Sequence, residues 1–400
     1  MSKHDPALSR PVSPVTPGLA TPDRCDGRLA RARAAARYRW NNTAHPVARS
    51  LRSVIDAGGR PGPAVVSDDP GYGLSFAYAG LPIGHLNVRQ LLENRLAALG
   101  GGTPSRRTEP ISWRDLTRGR FPETDIVLVG GEDKRIRQLP AERAFIAPFR
   151  VHLVVDTTPG SEAVRKQISR RERWEFDRNN RRRRWEFRED NSERALRFFY
   201  DRMHVPTMRV RHAEDTRTEK FTVARDLILR RGRLMFVVDG GQPVAGVLCH
   251  ERGGVITTRL LGVLDGSAEH YDLGAFKAVY HLLLGWAAER GYAAVDFFGT
   301  EAFLAKGIFQ WKRKFGPKVV VPPNHFSTKR LYLAIRRDTE RVRDFLVANP
   351  FLEIDRDGGM RAVYFCDDTR EARTDISAKA EALGSPRHVH LDEFFRGTPR

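Results

Sequence analysis

Cysteine is scarce. The 400 residues hold three, Cys25, Cys249 and Cys366, far apart and with no CxxC pair. That spacing excludes a disulfide framework and a zinc site of the usual kind, and makes a reducing compartment the expectation. No window approaches the roughly 18 continuous apolar residues that a membrane-spanning helix needs. Met1 is not followed by an apolar core segment, so no signal peptide is expected and a soluble, cytoplasmic chain is. No GxxxxGK[ST] loop occurs, and no Ser-His-Asp or nucleophilic-cysteine arrangement stands out. His388 and His390 form an HxH without further ligands, so no metal is expected. Acidic residues are also in deficit, 49 against 68 Lys and Arg, for a net charge of +19 and a pI near 10.4. Such a balance favours an anionic partner, whether nucleic acid, a phosphate-bearing cofactor or an acidic polymer. Arginine forks suit phosphates in particular.

What is present is an ordinary globular composition, 40% hydrophobic, in a chain long enough for two or three domains. Residues 1–27 carry five prolines among Ser, Thr and Asp and are expected to form a disordered tail. Residues 28–156 suggest an N-terminal α/β domain. It starts with a short helix over Leu29–Arg39. A second helix is capped at Asn87 with Val88, Leu91, Leu92 and Leu99 on one face. The runs 124–131 and 149–156 look like buried, parallel-type strands. Residues 157–325 have sharper signals. A basic helix spans Arg165 to about Arg183, and a strand follows over 184–189. Asp190 should cap the next helix, with Glu193 at N3. Helices follow through Phe198 and through Phe221, Ala224 and Ile228. Then come three strands joined by Asp-Gly and Gly-Gly turns, a helix from Gly274 to about Arg290, a strand over 293–298, a helical stretch over 302–312 and a strand over 318–323. A C-terminal extension, 326–400, is expected to hold a helix over 329–348, a strand over 360–366 and a helical 375–383. No repeat of solenoid period appears. The word "RWEF" does occur twice, at 173–176 and 184–187, with Trp174 and Trp185 eleven residues apart. Three helical turns take about that many residues, but the second copy alternates like a strand, so the two belong to different elements.

Two stretches carry chemistry. "LDGSAEHYDLGAFKAV" places Gly262, Gly266 and Gly274 around a helix N-terminus, where free N–H groups and the helix dipole suit a pyrophosphate. "VDFFGTEAFLAKGIFQWKRKFG", Val295–Gly316, resembles the D-F-G-G … G-[LI]-x-x-F-K-x-x-F-G element of the FemAB/FemX-like branch of the GNAT acyltransferase superfamily. Asp296, Phe297, Gly299, Gly307, Lys312, Phe315 and Gly316 occupy matching positions. Trp311 stands where the family usually has Phe or Tyr, and Phe298 replaces a glycine. The "LMFVVDGGQPVAGVLCHERGG" hairpin is similar as well, so the resemblance covers roughly 150–325.

The resemblance implies an α/β fold built on a GNAT-like mixed, mostly antiparallel sheet flanked by helices. Because the family often has two such halves, residues 28–156 are where a degenerate first half would lie. It also implies transfer of an acyl group to an amine by direct attack. That chemistry needs two reactants held close, a proton acceptor and a stabilised oxyanion. Backbone groups of Leu261, Gly262 and Val263 would hold the acyl carbonyl, and Gly274, Ala275 and Phe276 would cradle the donor phosphates. Lys312 would stabilise negative charge, Asp296 would position Lys312 or act as base, Glu301 is a second base candidate, and Tyr271 could protonate the leaving group. The expected donor is acyl-CoA or a carrier thioester, because no long coiled arm is inserted between Val263 and Val320. Aminoacyl-tRNA is the alternative, with the Arg165–Arg188 cluster tracking tRNA phosphates. A basic nucleic-acid-binding module without catalysis is the third reading. The acceptor would be an amine-bearing small molecule, sugar or peptide.

Overall fold

The structure, a computed structural model, describes residues 28–212 and 218–397; the expected disordered tail and Cys25 lie outside them. Helices α1 (Arg28–Asn42) and α2 (Pro46–Gly58) precede β1 (Gly62–Asp69) and β2 (Leu74–Gly80). A π-helical turn over His85–Arg89 runs into α3 (Gln90–Ala98), followed by β3 (Ser105–Glu109), α4 (Trp113–Thr117), β4 (Ile126–Glu132), α5 (Asp133–Ile136) and β5 (Ala144–Pro148). Next come β6 (Val151–Asp156), α6 (Ser161–Gln167), α7 (Arg170–Arg183), β7 (Glu186–Glu189), α8 (Glu193–Phe199), α9 (Val205–His212) and α10 (Phe221–Val223). Strands β8 (Gly232–Asp239), β9 (Gln242–Arg252) and β10 (Val255–Val263) form a meander, then α11 (Ala268–Asp272), α12 (Ala275–Glu289), β11 (Ala294–Thr300), α13 (Gly307–Lys312) and β12 (Lys318–Val320). The chain continues through β13 (Lys329–Ile335), α14 (Glu340–Ala348), β14 (Phe351–Ile354), β15 (Met360–Cys366), β16 (Leu383–His390) and α15 (Leu391–Arg396).

Three sheets result: β3-β1-β2-β4-β13-β5, β12-β6-β11-β10-β9-β8-β7, and β14-β15-β16. The first two share a layout. Each has one parallel pair, β2 with β4 and β10 with β11, and beside it an antiparallel strand inserted before the edge. The inserted strands are exchanged. β6, which follows β5 of the first sheet, lies between β11 and β12 of the second; β13, which follows β12, lies between β4 and β5 of the first. Strand β6 is thus antiparallel to both neighbours, not parallel as its continuous apolar run suggested. The parallel pairs differ in one respect. The β2–β4 pair holds through Gly80↔Gly130, where a Cβ on Gly80 would meet the Gly130 carbonyl oxygen at 2.0 Å. The β10–β11 pair covers only Val255↔Ala294, Ile256↔Val295 and Thr257↔Asp296.

The largest core cluster joins α12 to the second sheet, with Ala278, Val279, Leu283 and Ala287 among Ala245, Val247, Cys249 and Ile256. Where the structure departs from sequence expectation, local causes are visible. The stretch 329–348 is a strand and then a helix. Leu331, Leu333 and Ile335 belong to one core cluster and Tyr332 and Ala334 to another, a period of two, and Thr339 accepts the Val342 N–H to start α14. Residues 375–382 form no helix, and the stretch after them, β16, pairs in parallel with β15. The helical stretch near 302 begins only at Gly307. Ser192, not Asp190, caps α8 by accepting the Ala195 N–H, while Asp190 accepts from Ser192 N. Asn87 sits inside the π-turn and caps nothing. The basic helix breaks at Ile168 and Ser169 into α6 and α7. The doubled "RWEF" resolves as two elements. Trp174 on α7 is 57% exposed beneath Arg178, while Trp185 is buried beside Phe176 at the entry to β7.

Candidate active site

The site forms where β10 and β11 part. Past Thr257↔Asp296, β10 bulges between Thr258 and Leu260, and β11 bulges between Asp296 and Gly299 against β6. Phe298, at the glycine position of the motif, holds φ at +64°, a left-handed conformation that glycine adopts freely and other residues pay about 1–2 kcal/mol to keep. Two side chains hold this turn. Asp296 Oδ1 accepts the Phe298 N–H at 2.8 Å, and Lys312 Nζ donates to the Phe297 carbonyl, with the Phe298 carbonyl at 3.5 Å. Lys312 reaches there because α13 starts at Gly307 and turns it inward; it is 4% exposed. Burial pushes its ammonium down to about 7, against the pull of Asp296 in the opposite direction. Lys312 and Asp296 therefore meet through the backbone of one turn, from opposite sides.

A cavity of about 730 Å³ opens beside the split, and His152, Asp296, Phe298, Thr257, Arg259 and Tyr38 are among its lining residues. Both members of the His152–Asp296 pair are buried, with Nδ1 at 2.7 Å from Asp296 Oδ2. A carboxylate on Nδ1 fixes the imidazole tautomer and leaves Nε2 as the second ring nitrogen, the arrangement a general base requires. Arg259 lies 4.4 Å over the Phe298 ring and 5.3 Å over that of Tyr38, and donates to Asn42 Oδ1 at 2.8 Å. Helix α1 thus closes one wall of the cavity. His152 was not among the sequence candidates. Its signal was present, as the one polar side chain inside the apolar run "VHLVV". His250 also lines the cavity.

The other expected residues have partners of their own. Glu301 is buried and ion-paired with Lys306; burial works to raise its carboxyl, but Lys306 and Arg150 outweigh it and hold it below the usual range. Tyr271 packs 5.2 Å from Phe276, with Arg211 4.3 Å over its ring, and burial raises its phenol. Gly274 takes φ +85° as the residue before α12, and Asn179 of α7 donates to the Leu273 carbonyl at 3.0 Å, so α7 borders this helix N-terminus. The β10 edge beyond the split is already engaged. The Leu261 carbonyl accepts from His204 Nδ1 at 2.9 Å, and the Val263 N–H donates to Thr207 Oγ1 at 2.9 Å. Gly262 lies against the turn before α9, where a Cβ would come within 2.5 Å of the Met203 carbonyl carbon. Gly262→Ala is expected to cost about 1–3 kcal/mol, as overpacked sites do, visible as a lower urea midpoint with unchanged slope. His390 contacts Asp368 at 3.3 Å and Asp392, but Asp392 also accepts from Arg343 at 2.6 Å, so a cation there would compete with a guanidinium.

Residues 162–313 match the family described as Acetyltransferase (GNAT) domain. Similar solved structures include L-PGS from Bacillus licheniformis, at 12% identity and TM-score 0.34, covering 76% of this chain and 96% of that one. FemX is similar at 10% identity and TM-score 0.38, covering 66% and 81%, and a GCN5-related N-acetyltransferase from Sphaerobacter thermophilus at 15% and 0.29, covering 69% and 78%. No curated protein matches the chain. The parallel pair that parts at Thr257 and Asp296 lies inside the stretch, 162–313, that matches the GNAT acetyltransferase domain.

Proposed function

We propose that the protein moves an acyl group from acyl-CoA, or a carrier-bound thioester, to the amine of a small molecule, sugar or peptide seated in the cavity at the strand split. The observation that carries this reading is the buried His152–Asp296 pair on the cavity wall, where the strands part. The neutral amine attacks the thioester carbonyl, His152 takes the proton released from nitrogen, Asp296 stabilises the resulting imidazolium, and the thiolate leaves as the tetrahedral intermediate collapses. Arg259 supplies positive charge beside the developing oxyanion. Lys312 acts as a positioning residue, since its ammonium is spent on the carbonyls of the Phe298 turn. Because the Val263 N–H is engaged by Thr207, the acyl carbonyl is assigned to the split itself rather than to Leu261–Val263. The donor phosphates are assigned to the α12 N-terminus at Gly274, Ala275 and Phe276.

One observation favours the aminoacyl-tRNA alternative. Arg170, Arg171, Arg181, Arg182 and Arg184, on and just after α7, are exposed, with no ion pair among the described residues, and α7 borders the proposed phosphate cradle. Thermal unfolding with acetyl-CoA, longer acyl-CoAs and deacylated tRNA separates the donors. A rise in midpoint with CoA thioesters, coupled to release of free thiol when amines are added, is the expected result. A salt-sensitive rise with tRNA alone would overturn the CoA assignment.

A further inference from the structure

Helix α2 is inverted relative to an ordinary surface helix. All its polar side chains but Ser50 face the protein. Ser53 donates to Glu132 at 2.8 Å, Asp56 pairs with the buried Lys329, and Arg49 donates to the Pro323 carbonyl at 3.1 Å. Arg52 reaches both Asp56 and the Trp40 carbonyl. Its apolar side chains face outward. Val47 is 69% exposed, Leu51 53%, Val54 71% and Ile55 56%, and no residue of the helix is buried. Those positions recur at i, i+4, i+7 and i+8, one continuous stripe. A contiguous apolar stripe left open on a strongly charged protein marks a contact surface.

Charge and area together select the occupant. Residues 28–66 hold eight arginines and a single acid, Asp56, which is committed to Lys329. Arg33, Arg37 and Arg39 of α1 and Arg60 after α2 are exposed, and the ring of Trp40, 36% exposed, lies 5.8 Å from the Arg52 guanidinium of α2. A second copy of the chain fits poorly. Four aliphatic side chains fall well short of the about 800 Å² per partner that stable association needs, and symmetry would press two arginine-rich hairpins together. Among the described residues no helix is long and apolar enough to cross a membrane. A helix lying in the plane of a bilayer surface needs only an apolar stripe flanked by cations and an amphipathic aromatic at the rim.

We infer that the α1–α2 hairpin is a docking surface for an anionic lipid bilayer, with Val47, Leu51, Val54 and Ile55 entering the acyl boundary and the flanking arginines meeting lipid phosphates. The same hairpin supplies Tyr38, Arg39, Asn42, Thr43 and Ala44 to the wall of the cavity. Docking therefore sets the cavity mouth at headgroup level.

The test is co-sedimentation of the full chain with vesicles of phosphatidylglycerol and phosphatidylcholine, against vesicles of phosphatidylcholine alone. Partition onto the anionic vesicles should exceed that onto neutral ones by about 10-fold or more, and should weaken as salt is added. The triple variant Leu51→Gln/Val54→Gln/Ile55→Gln should lose about 10-fold or more of this binding while keeping its thermal midpoint, since those side chains fill no core. Arg33→Gln/Arg37→Gln should lower binding to the anionic vesicles only. Absence of vesicle binding, or equal binding by the triple variant, overturns the proposal. So does a wild-type dimer that the triple variant converts to monomer, which would reassign the stripe to self-association.

Discussion

His152→Gln lowers kcat by about 10²–10⁴-fold, the range over which a positioned general base acts, while KM for the amine changes little. Glutamine keeps a polar group of similar reach beside Asp296, so the buried carboxylate retains a donor and the fold is preserved. What disappears is the ring nitrogen that accepts the amine's proton. Asp296→Asn should fall short of the same loss in turnover yet unsettle the protein more, because Asp296 also holds the Phe298 N–H. An unchanged kcat in His152→Gln would remove this pair from the chemistry and leave the amine to shed its proton to solvent.

The second large effect concerns stability. Lys312 titrates near 7 in the folded chain because it is buried, whereas an unfolded lysine titrates near 10.4. Below about pH 7 both states are protonated, and the native state bears the full cost of a buried ammonium. Between about 7 and 10.4 the unfolded chain binds a proton that the native chain does not, so stability rises with pH. Lys312→Met has no such proton. The stability of the wild type relative to this variant should therefore climb by on the order of 4 kcal/mol across that window, read from urea midpoints at a series of pH values. Parallel curves for the two proteins would show that Lys312 titrates as an exposed lysine does. Lys312→Ala is the less informative change. It leaves the Phe297 carbonyl without its donor at a cost of about 1–3 kcal/mol, so lost activity and a disturbed turn arrive together.

Much of the second sheet was legible because its determinants are local. The Asp-Gly and Gly-Gly turns fix the β8–β9–β10 meander, and "DFFG" with Lys312 sixteen residues past Asp296 marks the strand end and the helix that serves it. The glycine position filled by Phe298 is a left-handed turn, which explains why the motif favours glycine there. What stayed hidden depends on pairing across long separations. His152 and Asp296 are 144 residues apart, and nothing near either one announces the other. Glu301 looked like a free base because its partner Lys306 lies in a short non-helical stretch with no fixed side-chain geometry in sequence. Leu331–Ile335 is a continuous apolar run too short to tell helix from strand, and only its neighbours β4 and β5 decide between them. The inverted polarity of α2 escapes notice for a similar reason, since amphipathicity alone does not say which face the protein will cover.

The exchanged strands β6 and β13 bear on how the chain is made. As it emerges in order, the first sheet has β4 and β5 available but no strand to lie between them until Lys329–Ile335 follows. Through that interval two unpaired strand edges stay open, the kind of surface through which nascent chains stick to one another. The second sheet has the opposite history, with β6 finished first and waiting for β11 and β12. Neither half can close without a segment of the other, so expressing either alone should yield an aggregation-prone fragment, whereas two fragments made together could complete each other's sheets.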